Sequence, residues 1–178
     1  WDAQKKKLAA VPMNPRLTPV TNNGKDISSF DVKLDTVGDM PVSGYYSKRK
    51  DLKPKSAAAV LLVHGAGVRS SQLGGTVGWA GNGHIVMDIN AHGIENGKPD
   101  EFYKALTEGA LLNYSHRGVE SRDTNYFLGM FLRELRALDF LCAQPEWDGK
   151  TLIVWGSSQG GFQAFAGAAL DSRVTFFG

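Results

Sequence analysis

The stretch Thr151-Leu152-Ile153-Val154-Trp155-Gly156-Ser157-Ser158-Gln159-Gly160-Gly161 frames a serine with glycines, placing Gly156, Ser158 and Gly160 in the order Gly-x-Ser-x-Gly. An apolar run precedes it and a small-residue run, Phe162 to Leu170, follows. This context predicts a buried strand that turns sharply into a helix. The flanking glycines allow the tight turn that lifts a hydroxyl above a sheet edge, the geometry of a nucleophile elbow. A helix starting near Gln159 would aim its free amides and positive dipole end at that hydroxyl. Such a serine can attack a carbonyl if a base takes its proton and donors hold the oxyanion. The Gln159 amide is the first donor by position. The second belongs in a loop after an earlier strand, where His64-Gly65-Ala66-Gly67 stands, and we assign it to the Ala66 amide. The plainer alternative is an ordinary glycine-rich strand-to-helix turn, or one that binds phosphate. No Lys-Ser/Thr follows as in a P-loop, and no Gly-x-Gly-x-x-Gly fits.

His64 and His92 end neighbouring strands on the same rim and are candidates for supporting roles around the site. His84 and His116 lie outside the motifs and are expected to do ordinary surface or hydrogen-bonding work. Four histidines without close spacing, with Cys142 the only cysteine, offer no zinc site. Cys142 reads as a small buried apolar residue. No cofactor is implied.

Elements must position these residues. Phe30, Val32 and Leu34 alternate with polar neighbours as on a half-buried strand. Gly38-Asp39 reads as a turn, and Val42 to Tyr46 as the returning strand of a hairpin. Ala57 to Val63, His84 to Ile89, Thr151 to Trp155 and Val174 to Phe177 read as strands of a parallel sheet. Leu128, Phe131, Leu135, Leu138 and Cys142 form one apolar stripe of a helix capped by Asp123 or Thr124 and closed by Pro145. The fold class is α/β, a mostly parallel sheet with helices on both faces, preceded by an antiparallel hairpin. Residues 1–27, with Pro12, Pro15 and Pro19, are expected to be an irregular lead-in, and its Lys5-Lys6-Lys7 run a solvated segment. Residues 28–178 are expected to share one domain.

Composition narrows the function classes. The 178 residues carry a net charge of +2 and are 42% apolar, which excludes a disordered acidic tail and a strongly basic nucleic-acid binder. The longest apolar run, Ala57 to Val63, is far short of the ~20 residues that cross a bilayer, so no membrane partner is expected. The chain starts at Trp1, which suggests a processed or trimmed N-terminus, and a secreted or periplasmic location is favoured over a cytoplasmic one.

The residues resemble the α/β-hydrolase superfamily, and within it the acetyl xylan esterase/cephalosporin C deacetylase family. The resemblance rests on the strand ending His64-Gly65, on Arg117-Gly118-Val119 followed by Asp123 to Phe127, on the helix Arg133 to Leu141, and on Gly156-Ser157-Ser158-Gln159-Gly160-Gly161. It implies a serine esterase that deacetylates carbohydrates, with Ser158 as nucleophile, the amides of Ala66 and Gln159 as oxyanion hole, and an oligosaccharide or small-molecule ester as partner. After its second parallel strand the family usually carries Arg-Gly-Gln. Here Asn90-Ala91-His92 stands instead, within Asp88 to Gly93, an Asp-x-x-x-His-Gly of the wider superfamily. Triad order in this fold is Ser, then Asp/Glu, then His. No histidine follows Ser158 and Asp171 falls too early, so we expect both partners beyond Gly178 and the chain to be the first part of a hydrolase. The excursion Gly93 to Arg122 is expected to build substrate walls or homo-oligomer contacts; its Tyr103 and Tyr114, with Trp79, could stack on a sugar, though such aromatics often pack locally. Another α/β hydrolase, a peptidase or lactone hydrolase, stays open, as does a non-catalytic binding protein of this fold.

Overall fold

The computed structural model describes residues 1–178. In chain order it contains α1 (Asp2–Ala9), β1 (Arg16–Pro19), β2 (Ile27–Leu34), β3 (Val42–Arg49), β4 (Ala57–Val63), α2 (Leu73–Gly81), β5 (Ile85–Ile89), α3 (Asp100–Glu108), α4 (Tyr126–Cys142), β6 (Trp147–Gly156), α5 (Gln159–Leu170) and β7 (Phe176–Phe177). The strands form one sheet in the order β1-β2-β3-β5-β4-β6-β7. β1, β2 and β3 pair antiparallel, β3 runs antiparallel to β5, and β4, β5, β6 and β7 are mutually parallel.

Alternation along the central strands divides the core. Ala57, Ala59, Leu61 and Val63 of β4, with Ile85, Met87 and Ile89 of β5, face the larger cluster, where Leu132, Leu135, Leu138 and Leu141 of α4 and Ala164 of α5 close over them. Val60 and Val86 point the other way, toward Ala80 of α2. Both faces of the central strands are therefore covered, and all of β5 is buried, as a parallel sheet requires. The hairpin contributes Val32, Leu34, Val42 and Tyr46 to the larger cluster, each at most 1% exposed.

Two expectations need correction. The lead-in 1–27 is not irregular throughout: Asp2–Ala9 is helical and Arg16–Pro19 is an edge strand. α1 is polar and carries little helical signal of its own. Docking holds it: Leu8 is buried, the carbonyls of Leu8 and Val11 accept from Arg136 of α4, and Trp1 packs on Phe131 with ring centroids 5.9 Å apart. Pro19 is tolerated because it ends an edge strand. The cap of α4 is Asn125, neither Asp123 nor Thr124, and its side chain accepts from the Phe127 amide at 2.9 Å.

Candidate active site at the ends of the central strands

β6 passes into α5 through Ser157 and Ser158 alone. Ser158 takes up the whole reversal, with φ 58° and ψ −121°, a conformation that side-chain-bearing residues seldom adopt. The glycines on either side are required by close backbone approach. A Cβ on Gly156 would lie 2.7 Å from the Gly160 carbonyl carbon, and one on Gly160 would run into the Val63 carbonyl at the end of β4. The turn is tied by the Gly160 amide donating to Ser157 O at 2.9 Å and the Phe162 amide to Ser158 O at 3.1 Å. Ser158 is exposed. The Gln159 amide is the first of α5, with no helical carbonyl a turn earlier to receive it.

The loop after β4 lies against this turn: a Cβ on Gly65 would sit 3.2 Å from Ser157 O and 3.7 Å from Ser158 Cβ. Side chains from several elements hold its backbone. His64 Nδ1 lies 2.7 Å from Gly65 O, while its Nε2 accepts from the Ala91 amide at 3.1 Å; that acceptance places the proton on Nδ1, which donates to Gly65 O. Arg69 donates to Gly65 O at 3.2 Å and also to Ala66 O. Tyr114 O–H accepts from the Gly67 amide at 3.3 Å and donates to Gln159 Oε1 at 2.8 Å. His92 Nε2 donates to Gly67 O at 3.2 Å, and its Nδ1 lies 2.8 Å from Tyr126 Oη. The Ala66 amide has no partner in the chain.

Both imidazoles are thus engaged at both nitrogens, and burial favours their neutral forms. Burial pushes the His64 pKa down. His92 is pushed down to about 4, chiefly by burial, with the nearby His64 and Arg133 adding to the effect against the Gly67 hydrogen bond. Neither is free to take a proton from Ser158. Arg133, buried on α4, donates through Nε and Nη2 to Ala91 O at 3.1 and 2.8 Å, which steadies the turn that carries His92. Asp88, at the end of β5, is pushed up to about 7, mainly by burial.

Of the residues singled out from the sequence, Ser158, Gln159, Ala66, His64 and His92 come together here. Asp171 does not: it caps the far end of α5, about 18 Å along a helix of 12 residues, and is paired with Arg173. His84 lies against Trp79, ring centroids 5.8 Å apart, and His116 ends a single 3-10 turn, Tyr114–His116. Tyr103 and Tyr114 are buried, so neither offers a face to a sugar. Cys142 packs against the larger core cluster and burial raises its thiol to about 11. No three His, Cys, Asp or Glu side chains converge as a metal-binding group. Sequence reasoning missed Arg69, Tyr114 and Tyr126 as residues that hold this site. It also missed Gln163, whose fully buried side chain donates to His64 O at 3.4 Å. Only the one-turn spacing of Gln159 and Gln163 on α5 hinted at any of them.

A mixed sheet with an antiparallel opening, helices on both faces and a serine elbow after a central parallel strand defines an α/β-hydrolase-type fold. The model of the acetyl xylan esterase family, AXE1, matches residues 1–176, and the chain belongs to that family. It is similar to the acetyl esterase Axe7A of Xylanibacter ruminicola, 30% identical over 181 residues that cover 98% of this chain and 40% of that protein. The acetyl xylan esterase from Paenibacillus sp. R4 superposes with a TM-score of 0.85 at 28% identity, over 99% of this chain and 56% of the other. Acetyl xylan esterase 1 from Thermoanaerobacterium sp. JW/SL YS485 shares the fold with a TM-score of 0.82 at 22% identity, over 99% of this chain and 55% of its own. The chain therefore spans about two fifths of the curated relative and about half of these solved structures.

Proposed function

We propose that the protein is a serine ester hydrolase that removes acetyl groups from acetylated carbohydrates through an acyl-enzyme on Ser158. Ser158 Oγ attacks the ester carbonyl carbon, and the amides of Gln159 and Ala66 receive the negative charge that develops on the carbonyl oxygen. A base takes the Ser158 proton during attack. The tetrahedral species then breaks its bond to the sugar oxygen, which leaves as an alkoxide and takes that proton to become the sugar hydroxyl. Water, losing a proton to the same base, attacks the acetyl-serine, and acetate leaves as Ser158 Oγ regains the proton. Because His64 and His92 are occupied in holding backbone, the general base and its acid partner are assigned to the part of the protein that corresponds to the relatives' remaining length. The acetyl group and the sugar come from the family and the named relatives, since the elbow does not encode the acyl chain.

The observation that carries the reading is the strained backbone of Ser158, φ 58°, at an exposed turn beside the Gly65 loop. Strain of this kind, of order 1–3 kcal/mol, persists where the surroundings over-determine it. The test is a fluorophosphonate probe on the full-length protein, followed by acetate release from acetylated xylan against a panel of other esters and peptides. Labelling that Ser158→Ala abolishes, with a loss on the order of 10⁶ in kcat, supports the proposal. An unlabelled wild type supports a non-catalytic binding protein of the same fold.

A further inference from the structure

Ser158 sits in its turn through close backbone packing and the backbone hydrogen bonds of the turn itself, whereas the peptide that carries the Ala66 amide is steered by side chains, through charge and hydrogen bonding. A trans peptide is planar, so its N–H lies opposite its C=O. The Gly65–Ala66 peptide unit joins Gly65 O to Ala66 N, and whatever grips the oxygen decides which way the hydrogen faces. Gly65 O is held from two directions, by His64 Nδ1 at 2.7 Å and by Arg69 Nη2 at 3.2 Å. The same Arg69 nitrogen also holds the next carbonyl, Ala66 O. His64 cannot move independently, being pinned by the Ala91 amide at its other nitrogen. Arg69, with an exposed side chain, is the adjustable partner.

We propose that Arg69 is a positioning residue: it locks the Gly65–Ala66 peptide in the orientation that presents the Ala66 amide to the oxyanion. This deepens the serine hydrolase reading and rests on it. Without the guanidinium, Gly65 and Gly67 leave the loop free to rotate that peptide, and the amide would be lost as a donor in a fraction of the molecules. Gly67 takes part for a second reason. It has φ +119°, where a side chain would strain the backbone, and a Cβ there would lie in contact with Arg69 Nη2 at 3.4 Å.

The test uses the full-length protein with an acetyl ester substrate. Losing one oxyanion donor costs ~100- to 1,000-fold, and because His64 still holds Gly65 O, we expect Arg69→Ala to lower kcat on the order of 10- to 100-fold with KM nearly unchanged. Arg69→Lys should keep part of the activity, and millimolar guanidinium, but not sodium, should restore Arg69→Ala. A variant with wild-type kcat, or one whose KM rises at constant kcat, overturns the proposal. If the wild type neither turns over ester nor takes up fluorophosphonate, the hydrolase reading is what fails. A crystal structure of Arg69→Ala then decides the steering itself: a rotated Gly65–Ala66 peptide upholds it, and an unmoved one overturns it.

Discussion

The elbow around Ser158 and the loop from His64 to Gly67 meet at one rim of the sheet, yet different forces shape them. At the elbow, backbone lies on backbone: Gly156 and Gly160 are pressed against Val63 and leave no volume for a side chain. At the loop, approach is less close, the tightest being 3.2 Å from a Cβ on Gly65 to Ser157 O, and its conformation is imposed by hydrogen bonds from His64, Arg69, His92 and Tyr114, residues spread over fifty positions. A sterically closed turn tolerates little substitution at its glycines and depends mainly on its own backbone. One held by hydrogen bonds is graded, losing precision with each partner removed, and it can respond to pH.

Three substitutions probe that difference. Gly160→Ala should do the most damage, because its Cβ would meet the Val63 carbonyl, a backbone atom that cannot step aside. We expect a loss of about 3 kcal/mol in a urea unfolding curve; a midpoint equal to the wild type's would break the steric account of the elbow.

Next in size is the response of His92 to acid. Its pKa falls from 6.5 in an unfolded chain to about 4 in the folded one, so between those values the unfolded state binds more protons. Stability is therefore present above about pH 6.5 and is lost as pH falls toward 4. His92→Gln removes this titration while leaving a donor for Gly67 O. The stability gap between wild type and variant should thus shrink, by up to about 3 kcal/mol, from pH 7 to pH 4. A gap that stays constant across that range would show that His92 is not held neutral by its burial.

Tyr114→Phe is expected to be mildest, since it keeps the ring that packs edge-to-face on His92, centroids 4.5 Å apart, and removes only the hydroxyl between Gly67 and Gln159. About 1 kcal/mol of stability and a severalfold drop in kcat should follow. A loss as severe as that of Gly160→Ala would erase the contrast between the two regions.

Local patterns carried much of the fold. The alternation of Phe30, Val32 and Leu34, the apolar run Ala57 to Val63 and the stripe from Leu128 to Cys142 each reappear as an element of the expected kind, because one side of each must be buried whatever lies opposite. α1 escaped this logic. Its residues are mostly polar, and what keeps it helical is Arg136 and Phe131, more than a hundred positions away. The capping of α4 differed by a single residue, because Asp123, Thr124 and Asn125 can all cap and only the path of the incoming chain chooses among them.

By itself, the amino-acid order determined where the chain must turn back at Ser158 and that Ala57–Val63 and the strand to Ile89 are buried on both faces, since excluded volume and apolar periodicity act between near neighbours. The same pattern misjudged Val174 to Phe177, where only Phe176–Phe177 forms a strand and both rings are exposed. Only the tertiary structure decided that both histidines are consumed in holding carbonyls, that Tyr114 bridges the two halves of the rim instead of facing solvent, and that Arg69 reaches back over the glycine loop. Those assignments depend on directional bonds between residues that folding alone makes adjacent, and spacing along a chain carries no record of direction.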